Sequence, residues 1–298
     1  MRALVTGGAG FVGTNLIKRL LRDGHQVISL DNYSTGFKEN EQEGCDYLEV
    51  DIVDGVRNNT FFDKKQHGWI NLYDVDVIFH MAALARIQPS IKYPIKCLEN
   101  NFNSTLNILE YARNNDIEVV YAGSSSKHHG LYGSPYAWSK YGGEELCKLY
   151  SEVYGLNTTI CRFYNVYGPH QIRDGAYATV LGIFENQYLN REKLTVTGDG
   201  EQRRDFTYID DIVDGLIRCV GKNNKANEYE LGTGVNYSIN EVADMFNHIK
   251  TYIPARPGEY DVTLCDYSKA EKYLGYKPKD NLKQYIKQWL EENKWNWV

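Results

Sequence analysis

The first half of the chain alternates two hydrophobic rhythms. Short apolar runs at residues 2–6, 26–31, 47–50, 75–80, 117–122 and 157–163 have the length and composition of strands. In the fourth run Val77, Ile78 and Phe79 are continuous, as in a strand covered on both faces. Between the runs lie stretches with a helical period. Residues 11–23 place Val12, Leu16, Ile17, Leu20 and Leu21 on one side, and Gly24 follows where a helix would end. Residues 93–114 repeat the pattern with Leu98, Leu106, Ile108, Leu109 and Ala112, and 135–154 read as a longer helix. Strand alternating with helix predicts parallel crossovers, and so an α/β fold with a doubly wound parallel sheet. Beyond residue 169 the period loosens into loops rich in glycine and aromatics, which predicts a smaller C-terminal substrate-binding region. The expected division is 1–169, with 204–238 returning to it, against 170–203 and 239–298. No internal repeat or low-complexity tract interrupts this pattern.

The junction of the first strand and first helix reads Thr6-Gly7-Gly8-Ala9-Gly10-Phe11-Val12-Gly13. A tight turn there needs glycine, close approach of a pyrophosphate needs the absence of a Cβ, and helix–sheet packing needs a small residue one turn in. The helix N-terminus adds free N–H groups and partial positive charge. Asp31 closes the second strand, where a carboxylate can accept the ribose hydroxyls of NAD and repel a 2′-phosphate. Together these features predict a Rossmann-type dinucleotide site and NAD as cofactor. Asp51 and Ile52, at the end of the third strand, either flank the adenine or simply end a strand in solvent.

Composition narrows the setting. The 298 residues carry 24% charged and 42% hydrophobic positions, which excludes extensive disorder, and a net charge of −6 argues against nucleic acid as a partner. No run approaches the roughly 18 apolar residues of a membrane helix. Six scattered cysteines without a C-x-x-C pair, and no apolar leader before the first glycines, predict reduced thiols, no metal site and a cytoplasmic setting. Among the histidines, the adjacent His128 and His129 are not expected to share an ion, and His80 is expected to end a core strand. The 24 tyrosines have no explanation at this level.

Tyr136 and Lys140 are four apart on a predicted helix and share a face. A phenol is a poor base at its ordinary pKa of about 10, and a lysine one turn away favours the phenolate. Ser124, Ser125 and Ser126 follow the fifth strand at its carboxyl end, where ligands of open α/β sheets collect. A serine hydroxyl there can pass a proton between substrate and tyrosine.

With these segments in order, the chain resembles the extended short-chain dehydrogenase/reductases of the nucleotide-sugar 4-epimerase group, which act on UDP-glucose or UDP-N-acetylglucosamine. The likeness runs through residues 6–13, Asp31-Asn32, Ser34-Thr35-Gly36, Asp51-Ile52, 80–84, 124–126, 136–140, 165–169, 198–200, 204–206, 256–259 and 266–274. It implies NAD held by Gly7, Gly10, Phe11, Val12, Gly13, Asp31, Asn32, Ser34, Thr35, Gly36, Asp51, Ile52, Ala82, Ala83, Ala85, Asn101, Tyr136 and Lys140. It also implies Tyr136 as base, Lys140 as its electrostatic partner and ribose ligand, and Ser124 as hydrogen-bonding helper. A UDP-sugar would then lie against Ser124, Ser125, Asn165, Gln171, Arg204, Arg256 and Thr263, two arginines and an amide being suited to a diphosphate. Arg203 and Arg204 could instead pair with Asp205, Asp210 or Asp211. A homodimer through the helices near Asn101 and Tyr136 is part of the same implication.

Two departures bear on the reaction. Tyr136 follows Ser124 by only 12 residues, shorter than the family's usual loop. Related dehydratases and decarboxylases carry an acid just after the serine, where this chain has Ser125 and Ser126, so epimerisation is favoured. Thr263 stands at the family's gatekeeper position, and a small residue there leaves room for an N-acetyl group. Residues 175–178 resemble the acetamido-tolerant members, whereas Ala85-Arg86 differ from the smaller pair expected of them. The alternatives are a uronate epimerase, decarboxylase, dehydratase or reductase, or a dinucleotide sensor without catalysis.

Overall fold

Parallel strands at the centre of the fold are buried on both faces, because each face is covered by helices. In the computed structural model, which describes residues 1–54, 56–57, 60–222 and 225–294, a seven-stranded parallel sheet carries the molecule. Its order is Asn227–Leu231, Thr158–Phe163, Glu118–Ser124, Val77–His80, Arg2–Thr6, Gln26–Asp31 and Cys45–Glu49. The six expected strands are all present, two with the expected ends and four with ends displaced by at most two residues, and Asn227–Leu231 adds a seventh beside Thr158–Phe163.

Alternation along Arg2–Thr6 shows how the layers form. Leu4 joins a core under the helices Pro94–Asn115 and Pro135–Tyr154, with Ile108, Leu109, Tyr111 and Cys147. Ala3 and Val5 face the opposite core, with Leu16 and Leu20 of the helix Phe11–Arg22 and Ile212 and Leu216 of the helix Ile209–Arg218. Strand order reverses between Arg2–Thr6 and Val77–His80, so a crevice opens at the carboxyl ends of these strands.

A third core lies apart, in the C-terminal half. Leu181, Phe184, Val196, Phe206, Val242, Phe246 and Trp289 fill it. Part of the tyrosine surplus is spent here: Tyr167 lies 5.5 Å from Tyr208 and 5.1 Å from Tyr285 between ring centres. A feature the sequence pattern did not suggest is a small antiparallel sheet of Val56–Arg57, Thr60–Asp63 and Gly68–Ile70, inserted between the third and fourth strands. Its buried Phe61 stacks edge-on against Tyr111 of the helix Pro94–Asn115.

The six cysteines are free thiols. Among the described residues no helix is long and apolar enough to cross a membrane. No group of three metal-ligating side chains is placed to hold an ion among them either. The side chain of His129 lies outside the described residues, and His128 pairs with Glu230 at 2.8 Å.

Candidate active site

The glycine turn is built for a ligand that comes close to the backbone. Gly7 has φ +70°, and a Cβ on it would sit 2.9 Å from the Cα of Ala82. A Cβ on Gly13 would sit 2.2 Å from the carbonyl oxygen of Gly7, so helix and turn pack backbone to backbone. Gly10 caps the helix Phe11–Arg22 without a side-chain partner, and the first-turn N–H groups face the cleft. Asp31 ends its strand with both oxygens in use: Ala9 N donates to one at 2.9 Å and Tyr33 N to the other at 2.8 Å. Burial raises its pKa, while these two hydrogen bonds act against the rise. Further along, the Asp51 carboxylate accepts from Asn32 Nδ2 at 3.2 Å and Val53 N at 3.1 Å, which orders the rim of the cleft.

Every expected cofactor residue except Asn101 and Lys140 lines this one continuous cleft. Asn101 acts from behind it. Its Oδ1 accepts from Leu84 N at 2.8 Å and its Nδ2 donates to Ser139 Oγ at 2.9 Å, so it holds the loop that carries Ala82, Ala83 and Ala85. His80, at the foot of that loop, sits between two hydroxyls, with Nδ1 2.8 Å from Thr6 Oγ1 and Nε2 3.1 Å from Thr105 Oγ1. Burial pushes its pKa down to about 3, so it is neutral.

At the far end of the cleft, the Tyr136 hydroxyl donates to Ser124 Oγ at 3.4 Å. Ser126 donates to the same oxygen through its hydroxyl at 2.8 Å and its N–H at 3.2 Å. Ser134 caps the helix Pro135–Tyr154 by accepting from Ala137 N, and Pro135 occupies its first turn, which sets Tyr136 at the mouth of the cleft. Burial raises the Tyr136 pKa, and the Ser124 hydrogen bond and the nearby Arg86 charge lower it. The ammonium of Lys140, the expected cation, lies buried 4.3 Å from the centre of the Tyr121 ring, one helical turn from Tyr136, and burial pushes its pKa down to about 8.

The short segment after Ser126 folds as two 3₁₀ turns, Ser125–His129 and Leu131–Gly133. Lys127 and His128 anchor it to Glu228 and Glu230 of the seventh strand, at 3.4 and 2.8 Å.

Of the expected substrate residues, Ser124, Ser125, Asn165, Arg204, Arg256 and Thr263 line the cleft. Gln171 does not. It is buried in a polar cluster, donating to Glu185 at 2.8 Å and accepting from Thr179 at 2.8 Å. Glu185 is a buried carboxylate that must be satisfied, and the amide serves it. Arg204 makes none of the expected acidic pairs and donates instead to the carbonyl of Arg203 at 2.9 Å. Arg203 pairs with Glu241 at 3.0 Å. The expected partner Asp205 is occupied: it accepts from Thr233, Gly234 and Cys265 backbone N–H groups at 2.9, 2.9 and 3.0 Å. Thr263 is committed as well, its hydroxyl accepting from Asn165 Nδ2 at 3.2 Å and Asp205 N at 3.1 Å.

The cleft also gathers residues outside the expected cofactor and substrate sets. Tyr260 packs toward Ser126 and Tyr136. Arg86, Tyr177, Gln202 and Phe206 complete the walls. A lone tyrosine among 24 carries no sequence signal, and the Arg86 signal was only that a larger residue stands beside Ala85.

A switch-point crevice, a glycine cradle a Cβ would fill, an acid at the second strand end and a tyrosine–serine pair define a dinucleotide-dependent α/β enzyme. The profile of the NAD dependent epimerase/dehydratase family matches residues 3–232, and the chain belongs to that family. Its cofactor is NAD, and it is an enzyme of the nucleotide-sugar epimerase/dehydratase type. A UDP-glucose 4-epimerase of Mycolicibacterium smegmatis is 30% identical over 98% of both chains. A UDP-glucuronate 4-epimerase of Thermodesulfobacterium geofontis is also 30% identical, over 97% of this chain and 96% of its own. The structure of UDP-glucose 4-epimerase from Thermotoga maritima with UDP-glucose superposes with a TM-score of 0.85 at 27% identity, covering 98% of each chain.

Proposed function

We propose that the protein inverts C4 of the sugar in a nucleoside-diphosphate hexose, with UDP-glucose/UDP-galactose and the corresponding N-acetyl pair as the neutral candidates. The observation that carries this reading is the Tyr136 hydroxyl 3.4 Å from Ser124 Oγ, in the same cleft as the glycine cradle and two arginines. When bound, NAD supplies a hydride acceptor that is also the donor for the return step.

The side chains account for the rest. Tyr136 takes the proton of the C4 hydroxyl and gives it back, with Ser124 in contact with the same proton. A phenol with its pKa raised by burial is the wrong way round for a base. The Ser124 hydrogen bond and the Arg86 charge counter that shift. Arg204 and Arg256 hold the diphosphate, and Asn165, kept in place by Thr263, borders the sugar. Gly7, Gly10 and Gly13 admit the cofactor pyrophosphate, and Asp31 takes the adenosine ribose.

Elimination or decarboxylation is disfavoured by the distribution of acids. The carboxylates that line the cleft among the described residues are Asp31, Asp51 and Glu259, and the positions after Ser124 are serines. We also propose a cytoplasmic homodimer. Ile95, Trp138, Leu149 and Val153 are exposed on the helices Pro94–Asn115 and Pro135–Tyr154, an apolar outer face suited to a second copy. Sedimentation of the purified protein tests that part.

The function is tested by incubating the protein with UDP-hexoses and UDP-hexuronates, without added cofactor, and following the C4 epimer by NMR. Epimer formation is expected, and its absence with every sugar overturns the reading.

A further inference from the structure

Among the described residues, Arg86 is a cation in the cleft with no acid paired to it. It precedes the helix Ile87–Lys92, in the loop that follows the fourth central strand. Its Nε donates to the carbonyls of Tyr177 and Ala178 at 2.9 and 3.3 Å, and its Nη1 donates to that of Ala85 at 3.0 Å. These acceptors are all neutral. Among the described residues Arg86 forms no ion pair, and the one titratable group that acts on it is Tyr136. Burial pushes its pKa down.

The other sequestered arginine outside the cleft shows how this protein treats such a charge. Arg162 is enclosed by Glu144, Glu228 and Glu230 at 2.7, 2.8 and 2.7 Å. A guanidinium withdrawn from water needs an anion, and only the cleft is left to supply one to Arg86. Nη2 makes no hydrogen bond among the described residues, while Nε and Nη1 fix the plane of the group from behind. One edge of a rigid fork is thus presented to the cleft.

The position of Arg86 tells which anion. The diphosphate end is already matched by Arg204 and Arg256, with Glu259 beside Arg204. Arg86 lines the same cleft beside Ala85, near enough to Tyr136 to act on its hydroxyl. If Tyr136 handles the C4 hydroxyl, the substituents on the two neighbouring ring carbons are the C3 hydroxyl and C6, and of these only C6 can carry an anion as a carboxylate. A carboxylate at C6 is planar, carries two acceptors and matches a guanidinium edge. A neutral hydroxymethyl group would leave the charge uncompensated.

We propose that Arg86 binds a carboxylate at C6, and that the physiological substrate is a nucleoside-diphosphate hexuronate rather than a neutral hexose. This rests on the epimerase reading of the same site. The choice between the two sugars then lies with one side chain held by Tyr177, Ala178 and Ala85 carbonyls.

Binding and turnover separate the two claims. Calorimetry on the native protein with UDP-glucuronate and UDP-glucose is expected to show the uronate bound on the order of 100-fold more tightly, and Arg86→Gln to remove most of that preference. Arg86→Lys keeps the charge but not the fork, and should recover part of it. Circular dichroism and retained NAD check that the variants fold. Equal affinity for the two sugars, or a preference unchanged in Arg86→Gln, overturns the inference. In the NMR assay, epimerisation of UDP-glucose with none of UDP-glucuronate also overturns it and leaves the epimerase reading intact. Uronate-selective, Arg86-dependent binding with no epimer from any sugar supports the carboxylate site and sinks the epimerase reading instead. If Arg86→Gln lowers kcat equally for both sugars and moves the pH profile, Arg86 serves Tyr136 and not the substrate.

Discussion

The ammonium of Lys140 lies 4.3 Å from the centre of the Tyr121 ring, one helical turn from Tyr136 and beneath the surface of the cleft. Burial lowers its pKa to about 8, with Glu144 opposing the shift. An unfolded chain holds this proton up to about pH 10.5. Between pH 8 and 10.5 the unfolded state therefore binds more protons, and this group's contribution to stability rises with pH. At pH 7 the buried charge costs on the order of 3 kcal/mol. Lys140→Met should raise the melting temperature at pH 7, with the gain shrinking toward pH 10, while turnover falls. Melts across that range with NAD present check the sign.

Tyr136→Phe should reduce turnover by at least about 10³-fold and leave NAD bound, because the hydroxyl is removed and the cradle is untouched. Ser124→Ala should cost about 10²-fold, since the Tyr136 hydroxyl loses its one hydrogen-bonding serine while Ser126 remains in the cleft. Epimer formation by NMR, with bound NAD quantified after denaturation, reads both. Full activity in Tyr136→Phe would remove it from the base role.

Gly13→Ala would place a methyl group 2.2 Å from the Gly7 carbonyl oxygen. Nothing flexible can give way there, because the obstacle is backbone. A loss of roughly 1–3 kcal/mol is expected, together with loss of bound NAD. Denaturant melts and nucleotide content measure the two effects.

Asp31→Ala removes the acceptor for the Ala9 and Tyr33 N–H groups and the charge that repels a 2′-phosphate. NAD affinity should fall, and the ratio of NADP to NAD binding should rise by about tenfold or more. Titration of cofactor-free protein with each nucleotide decides this.

His80 is held neutral, with its pKa near 3 against about 6.5 when unfolded. As pH falls through 6.5 the unfolded state takes up a proton that the native state refuses, so stability drops. Between pH 6.5 and 5, where most carboxylates remain ionised, the native protein should lose stability and His80→Gln should lose less. Denaturant midpoints at the two pH values provide the measurement.

Hydrophobic periods of two kinds made the sheet and its helices legible, because a strand buried on both faces and an amphipathic helix leave different patterns. The glycine turn with Asp31 was legible for a similar reason: its chemistry is local, carried by backbone angles and missing side chains at short spacing. The small sheet at residues 56–70 was not, since two- to four-residue strands have no period to read. Gln171 stood among the substrate residues the resemblance implied, and Arg203 was open to pairing with Asp205, Asp210 or Asp211, but Glu185 and Glu241, distant in sequence, engage them.

By itself, the sequence determined the α/β class, the cofactor cradle and the order of Ser124, Tyr136 and Lys140, because each depends on contacts within one strand–helix unit. Tertiary structure alone decided that Lys140 turns to Tyr121 while Arg86 comes close enough to act on Tyr136, and that Arg204 forms no ion pair among the described residues while Arg162 meets three glutamates. The physical reason is that the state of a charge is set by the desolvation and partners assembled around it from several segments, and no spacing along one segment encodes that sum.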